Sequence, residues 1–147
     1  AHIFERVVIS LCFLNGASVA FYRGNPLWLL EDLQACRPTI LPAAPRVLNK
    51  IYDKIMTGMA AVGGWKKQLF DAGVAAKKRN LYKGILKHAF YDALIFHKIK
   101  KSLGMDCLRV LVSGSAPLSD EVMLFFRVLL GVPVVEGYGQ TEGTACA

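Results

Sequence analysis

At 147 residues the chain is long enough for one ordinary domain and too short for two, and a chain this size buries roughly 68–70% of its unfolded surface. Counting Gly but not Tyr, its apolar share is about 59% against the usual 45–50%, which is high for a free-standing soluble domain. The net charge of +7 is unevenly placed: residues 46–101 hold 13 Lys/Arg against 3 Asp, so the flanks together are slightly acidic.

In chain order, residues 3–14 are mostly apolar and read as a buried helix, which Asn15-Gly16 ends as a C-terminal cap. Residues 17–22 lack polar alternation and read as a strand covered on both faces. Asn25-Pro26 supplies an N-cap and a first-turn proline for a helix through about Cys36, which Pro38 stops. A short strand is expected over 39–42. Pro45 opens an amphipathic helix with Val47, Leu48, Ile51, Tyr52, Ile55, Met56 and Met59 at helical spacing. Residues 63–84 are basic with a fainter helical pattern, and a further helix carries Phe90, Tyr91, Leu94, Ile95, Ile99 and Leu103 on one side until Gly104.

Residues 108–112 read as a strongly buried strand. Ser119 then caps a helix whose first turn holds Asp120 and Glu121, where the helix dipole favours acids. Val122, Phe125, Phe126, Leu129 and Leu130 form its inward stripe, Gly131 stops it, and 132–135 is the last strand before the loop 136–143. Alternating helices and strands predict an α/β fold with a mostly parallel sheet flanked by helices, whose ligands sit at the carboxyl ends of the strands. The two Gly-containing loops fall there.

The longest apolar stretch, 7–22, is broken by Asn15 and Gly16 and falls short of a membrane span. No basic start precedes a cleavable apolar run, so the reading is not secreted. The start at Ala1 and the stop just after a Gly-rich loop read as cut ends. Cys12, Cys36, Cys107 and Cys146 are widely spaced and read as small core residues of a reducing compartment, although an even count leaves disulfides open. Three readings compete for the basic segment: a solvated helical face, a patch against anionic lipid, or a nucleic-acid surface. The last ranks lowest because no reader motif accompanies the charge.

Two loops carry chemistry. Ser113-Gly114-Ser115-Ala116-Pro117-Leu118 places small residues between a strand and a helix, where a flat ligand can touch backbone; a plain tight turn explains it equally well. Glu136-Gly137-Tyr138-Gly139-Gln140-Thr141-Glu142-Gly143 adds an aromatic plate, a hydroxyl and a carboxylate. The plate can stack on a base, the hydroxyl can donate to a phosphate, and the carboxylate can hold Mg²⁺ bridging phosphates. A Gly-rich surface turn would explain the glycines but not the Tyr, Thr and Glu. No G-x-G-x-x-G follows an early strand, which sets aside a dinucleotide-binding oxidoreductase.

G-S-A-P-L-S followed 22 positions later by E-G-Y-G-Q-T-E, with the start A-H-I-F-E-R and the insert ending D-A-L-I-F-H-K-I-K-K-S-L-G, resembles the long-chain acyl-CoA synthetases of the adenylate-forming superfamily. The resemblance covers essentially the whole chain. It implies an internal fragment, 1–147, of the large N-terminal AMP-binding domain, with a basic helical insert at about 46–104. It also implies ATP, Mg²⁺ and CoA as cofactor and co-substrates and a long-chain fatty acid as substrate, activated through an acyl-adenylate. By motif, Gly114, Ser115 and Ala116 would line the adenine and Tyr138 would stack on it, within a nucleotide loop that includes Gly137, Gly139 and Gln140. Thr141 would bind the phosphate that becomes AMP, Glu142 would hold Mg²⁺, His2 would lie near the reacting carboxylate and phosphates, and Phe4 would face the acyl tunnel. The family's phosphate loop, ribose-binding Asp and C-terminal lid domain with its Lys are absent from the sequence, so the fragment alone is expected to be inactive. A peripheral contact with an anionic membrane, on the cytosolic side of the endoplasmic reticulum, mitochondrial outer membrane or peroxisome, is the further expectation. The alternative is a non-catalytic membrane-surface or interaction module in which the glycine loops are structural.

Overall fold

Short runs of Val, Leu and Ile, too brief for helices and free of internal polar alternation, pair as parallel strands in the computed structural model, which describes residues 3–114 and 116–139. Strands β1 (Ile40–Ala43), β2 (Val110–Gly114) and β3 (Val134–Gly137) lie side by side in that order. Ile40 aligns with Val110 and Ala43 with Ser113, while Leu111 aligns with Val134 and Gly114 with Gly137. Pro42 is tolerated in β1 because that strand is an edge of the described sheet. Each observed strand sits one or two residues later than its expected position.

Parallel neighbours need long crossovers, and helices supply them. Helices α1 (Ile3–Leu14) and α2 (Leu29–Cys36) precede β1. Between β1 and β2 run α3 (Pro45–Val62), α4 (Gly64–Leu81), the single turn α5 (Ala89–Tyr91), a π-helical segment at Asp92–Phe96, and α6 (His97–Ser102). Helix α7 (Asp120–Leu130) joins β2 to β3. None of the described helices is long and apolar enough to cross a membrane.

The core lies on one face of the sheet. Leu111 of β2 meets Leu48 of α3, Phe70 of α4, Phe96 of the π-helical segment, and Phe126 and Leu129 of α7 in one buried cluster. Each such side chain contributes about 1.5–3 kcal/mol relative to exposure. Phe125 organises the helix interface, with Tyr52 edge-on at 4.8 Å and Phe70 tilted at 6.5 Å between ring centroids. The inward stripe expected for α7 is buried as read, and Gly131 closes the helix in the left-handed region at φ 64°.

Four expectations are corrected. Residues 17–22 form no strand: no described strand pairs with them, and Phe21 is 70% exposed, so β-prone composition without a neighbour to satisfy the backbone leaves an extended segment. Strands β1 to β3 are covered on one face only, since Ile40 and Val135 are exposed while Leu111 and Val134 are buried. Helix α1 forms and ends at Asn15-Gly16 as expected, with the Ala17 N–H donating to the Cys12 carbonyl at 2.8 Å, but Leu11, Phe13 and Leu14 lie exposed. Helix α2 starts at Leu29, because the Asn25 side chain accepts from the Leu27 N–H at 2.9 Å and spends itself on a turn before the helix begins.

The stripe expected over 90–103 is broken for a specific reason. A π-helical turn holds more residues than an α-turn and so shifts the facing of everything after it. Phe96, outside the expected stripe, is fully buried, whereas Phe90 and Leu94 are exposed. Gly104 follows at φ 70°, and a Cβ there would lie 2.3 Å from the Leu33 carbonyl oxygen, so the end of α6 packs on α2 only with glycine. Among the described residues the cysteines Cys12, Cys36 and Cys107 are free thiols, and Cys36 and Cys107 are exposed rather than the core residues the sequence suggests.

The π-helical turn also places a charge pair inside the fold. Lys77 of α4 is 1% exposed, and its Nζ donates to Asp92 Oδ1 at 2.5 Å while lying 4.7 Å above the Phe96 ring. Asp92 Oδ2 accepts from the His88 N–H at 2.8 Å. Burial pushes the Lys77 ammonium below its ordinary range, Asp92 acts in the opposite direction, and nearby Lys100 adds to the lowering. A folded-state value below the unfolded one means that folding is opposed wherever Lys77 must be charged, and that this cost fades as pH rises through the alkaline range. Asp92→Ala, which leaves the cation without its partner, is expected to destabilise the protein by about 3 kcal/mol, whereas the double variant Lys77→Met/Asp92→Leu, which removes both charges, is expected to be near neutral. Urea unfolding of the two variants checks this, and an Asp92→Ala midpoint equal to that of the unmodified protein would refute the buried pair.

Candidate functional site

The two Gly-containing loops emerge from the carboxyl ends of neighbouring parallel strands, where α/β sheets bind ligands. Their approach is fixed by register: Ser113 pairs with Glu136, and Gly114 with Gly137. A Cβ added to Gly114 would sit 3.4 Å from the Gly137 carbonyl oxygen, so the two backbones run close together at the mouth of the sheet. Gly114 remains half-buried, while Ala116, Gly137, Tyr138 and Gly139 face solvent.

Helix α7 holds both loops in place. At its start, Ser119 takes the extended conformation of an N-cap and its hydroxyl accepts from the Val122 N–H at 3.4 Å, as the sequence predicts. Toward its end, Arg127 donates from Nε and Nη2 to the Val134 carbonyl at 3.3 and 2.9 Å, gripping the first residue of β3. Glu136 closes the frame: its Oε1 accepts from the Leu118 N–H at 2.7 Å, linking the end of β3 to the loop that leaves β2.

Glu136 is the residue that sequence reasoning passed over. It stands at the first position of the second loop and reads there as one more exposed acid. Its partner is a backbone N–H 18 positions away, and no pattern within either loop announces that pairing. Directly beneath, the Ser113 hydroxyl is fully buried and without a hydrogen-bond partner among the described residues. An unpaired buried hydroxyl is uncommon and marks a polar spot under the loop mouth.

Of the residues singled out by motif, the structure brings together Gly114, Ala116, Gly137, Tyr138 and Gly139 on these two strand ends. Tyr138 is 73% exposed and stands between Gly137 and Gly139. His2, Ser115, Gln140, Thr141 and Glu142 lie outside the described residues. Phe4 falls in the first turn of α1. Among the described residues no group of three or more His, Cys, Asp or Glu is placed to hold a metal ion. Mg²⁺ does not need one, because it takes one or two carboxylates and completes its shell with phosphate oxygens and water.

Comparison with known proteins agrees with this architecture. Residues 1–147 match the model of the family described as AMP-binding enzyme. Over 146 residues the chain is 44% identical to the long chain acyl-CoA synthetase 6, peroxisomal, of Arabidopsis thaliana, covering 99% of this chain and 20% of that protein. It is 42% identical, with the same coverage, to the long-chain-fatty-acid–CoA ligases 6 and 1 of Homo sapiens. The chain thus spans about one fifth of the length of these relatives. Among solved structures, the A-PCP didomain of a carboxylic acid reductase from Segniliparus rugosus, in complex with AMP, superimposes with a TM-score of 0.58 at 23% identity, over 82% of this chain and 14% of that one. At that identity the likeness is one of fold.

Proposed function

The chain belongs to the AMP-binding enzyme family, and on that premise we propose that it forms part of the AMP-binding domain of an enzyme that activates long-chain fatty acids to acyl-CoA through an acyl-adenylate. The observation that carries the reading is the similarity of 99% of the chain to relatives named as long-chain acyl-CoA synthetases and ligases. The basic helices between β1 and β2 are then an insert within that domain.

On this reading the paired strand ends form one wall of a nucleotide site. Gly114, Ser115 and Ala116 line one edge of the adenine, and Tyr138 offers its exposed ring as a stacking surface. Gly137, Gly139 and Gln140 shape the loop so that backbone lies close to the nucleotide, and Thr141 donates to the phosphate retained in AMP. His2 lies near the reacting groups and Phe4 toward the acyl chain.

The reaction answers a charge problem. A fatty carboxylate oxygen attacks the α-phosphorus of ATP, the bond to pyrophosphate breaks, and the thiolate of CoA then attacks the acyl carbon and releases AMP. Carboxylate and triphosphate repel, so fixed donors must be in place before in-line attack. Glu142 would hold Mg²⁺, which when bound neutralises phosphate charge and polarises the phosphoryl oxygens. The surplus of Lys and Arg in the insert fits a peripheral contact with an anionic membrane surface, which would place the enzyme on the cytosolic side of an intracellular membrane. A relative named as peroxisomal supports an intracellular location.

In the full-length parent, Glu142→Ala is expected to cut adenylation at least about 100-fold, the scale of losing one preorganised charge-stabilising group. Pyrophosphate release across a Mg²⁺ titration measures this, and unchanged activity at low Mg²⁺ would remove Glu142 from the role.

Tyr138→Ala is expected to weaken ATP binding by roughly 1–3 kcal/mol, the range of base–aromatic stacking, while Tyr138→Phe leaves it nearly unchanged. Calorimetric titration of both variants separates the ring from its hydroxyl, and a large loss in the Phe variant would overturn the stacking role.

A further inference from the structure

The geometry points to Glu136 as a positioning residue that sets the separation of the two nucleotide-site loops. This inference rests on the nucleotide-binding reading of those loops and adds to it a residue whose carboxylate is bonded to backbone. The last pair of the β2–β3 ladder, Gly114 with Gly137, fixes where the loops begin but not where they go. Beyond that pair neither backbone has a ladder partner among the described residues, so the ladder itself does not set how the two loops diverge. The Leu118 N–H lies between the strand end and the first turn of α7, too early to find a partner inside the helix. Glu136 supplies that partner, its Oε1 at 2.7 Å. The bond crosses from the end of β3 to Leu118 at the far end of the first loop.

A charged acceptor suits this position. Hydrogen bonds to an ionised carboxylate are shorter and stronger than neutral ones, and the α7 N-terminus favours negative charge nearby. Leu118 is itself anchored, since its side chain is buried in the core while its N–H faces the loop. The carboxylate therefore ties the end of β3 to the backbone beside a buried core residue. With the tie in place, the wall containing Ala116 and the ring of Tyr138, two residues beyond Glu136, are held at one spacing, which a planar base can fill.

The test uses the full-length parent with Glu136→Gln, Glu136→Asp and Glu136→Ala, read by AMP titration calorimetry and by hydrogen exchange of the peptide containing Leu118. Gln keeps an acceptor oxygen at the same reach but lacks the charge, and is expected to retain most of the AMP affinity and of the Leu118 protection, falling between the unmodified enzyme and the Asp variant. Asp is too short to reach and Ala has no acceptor, so both are expected to lose about five- to tenfold in affinity, the scale of one hydrogen bond, and to exchange Leu118 faster. The adenylation rate at saturating ATP should fall less than the apparent affinity does. Should Glu136→Ala fail to fold, the Gln and Asp pair still decides the matter. Unchanged affinity and exchange in Glu136→Asp would overturn the proposal, as would a Gln variant as weak as the Asp one. An unmodified enzyme that binds no AMP would sink the nucleotide reading instead, while Leu118 exchange would still report whether the tie exists.

Discussion

The parallel register of β2 against β3 is the constraint on which the rest of this structure depends. Pairing Leu111 with Val134 seats the buried ends of both strands under α7, and the same register carried three residues further brings Gly114 against Gly137. A slip of one residue would turn Leu111 out of the core and part the two loops at once, because side chains alternate between faces. The apolar half of the ladder thus maintains the polar half. Arg127 reinforces the arrangement from the helix side by spending two donors on one carbonyl of β3.

A second constraint governs the long excursion between β1 and β2. Helices this basic repel one another, and only their inner faces are apolar enough to pack. The π-helical turn resolves the conflict by turning Phe96 inward and bringing Asp92 to Lys77, so that one cation is neutralised inside the fold. Gly73 of α4 permits the approach, since a Cβ there would come within 3.0 Å of the Tyr91 ring. Pairing of this kind does not add much net stability, but it penalises any packing that leaves the lysine alone. These helices are consequently held in one arrangement against α7, whose C-terminal Leu130 carbonyl accepts from Lys100 at 3.3 Å.

What the sequence discloses is local. Ser119, the acids after it, the stripe from Val122 to Leu130 and Gly131 define α7 completely, because caps, dipole and periodicity all act within one helix. Pro45 does the same for α3. What it conceals is relational. Residues 17–22 have the composition of a strand but no partner in the described structure, and the uncovered faces of Ile40 and Val135 show that an apolar run reports the capacity for burial rather than burial itself. The π-helical turn is hidden for another reason, since its extra residue is stabilised by tertiary contacts of Phe96 and Asp92. At the candidate site, spacing along the chain places Gly114, Gly137 and Tyr138 at neighbouring strand ends, whereas the Glu136 contact becomes visible only once the fold supplies Leu118.

The same division explains why the site can be built from residues that contribute little to stability. An aromatic ring as exposed as Tyr138 gains almost nothing from the fold, and the glycines on either side cost conformational entropy that a structural turn would not need to spend twice. The balance changes if a flat ligand covers the ring, because the surface then leaves water only in the bound state. Stability is concentrated beneath the sheet, where Leu111, Phe126 and Leu129 are fully buried, and the strand ends above it remain free to carry side chains chosen for what they can bind. Glu136 stands at the boundary between the two, exposed like the site yet bonded to the backbone beside a core leucine, so that the rigidity of the packed face reaches the loops through a single hydrogen bond.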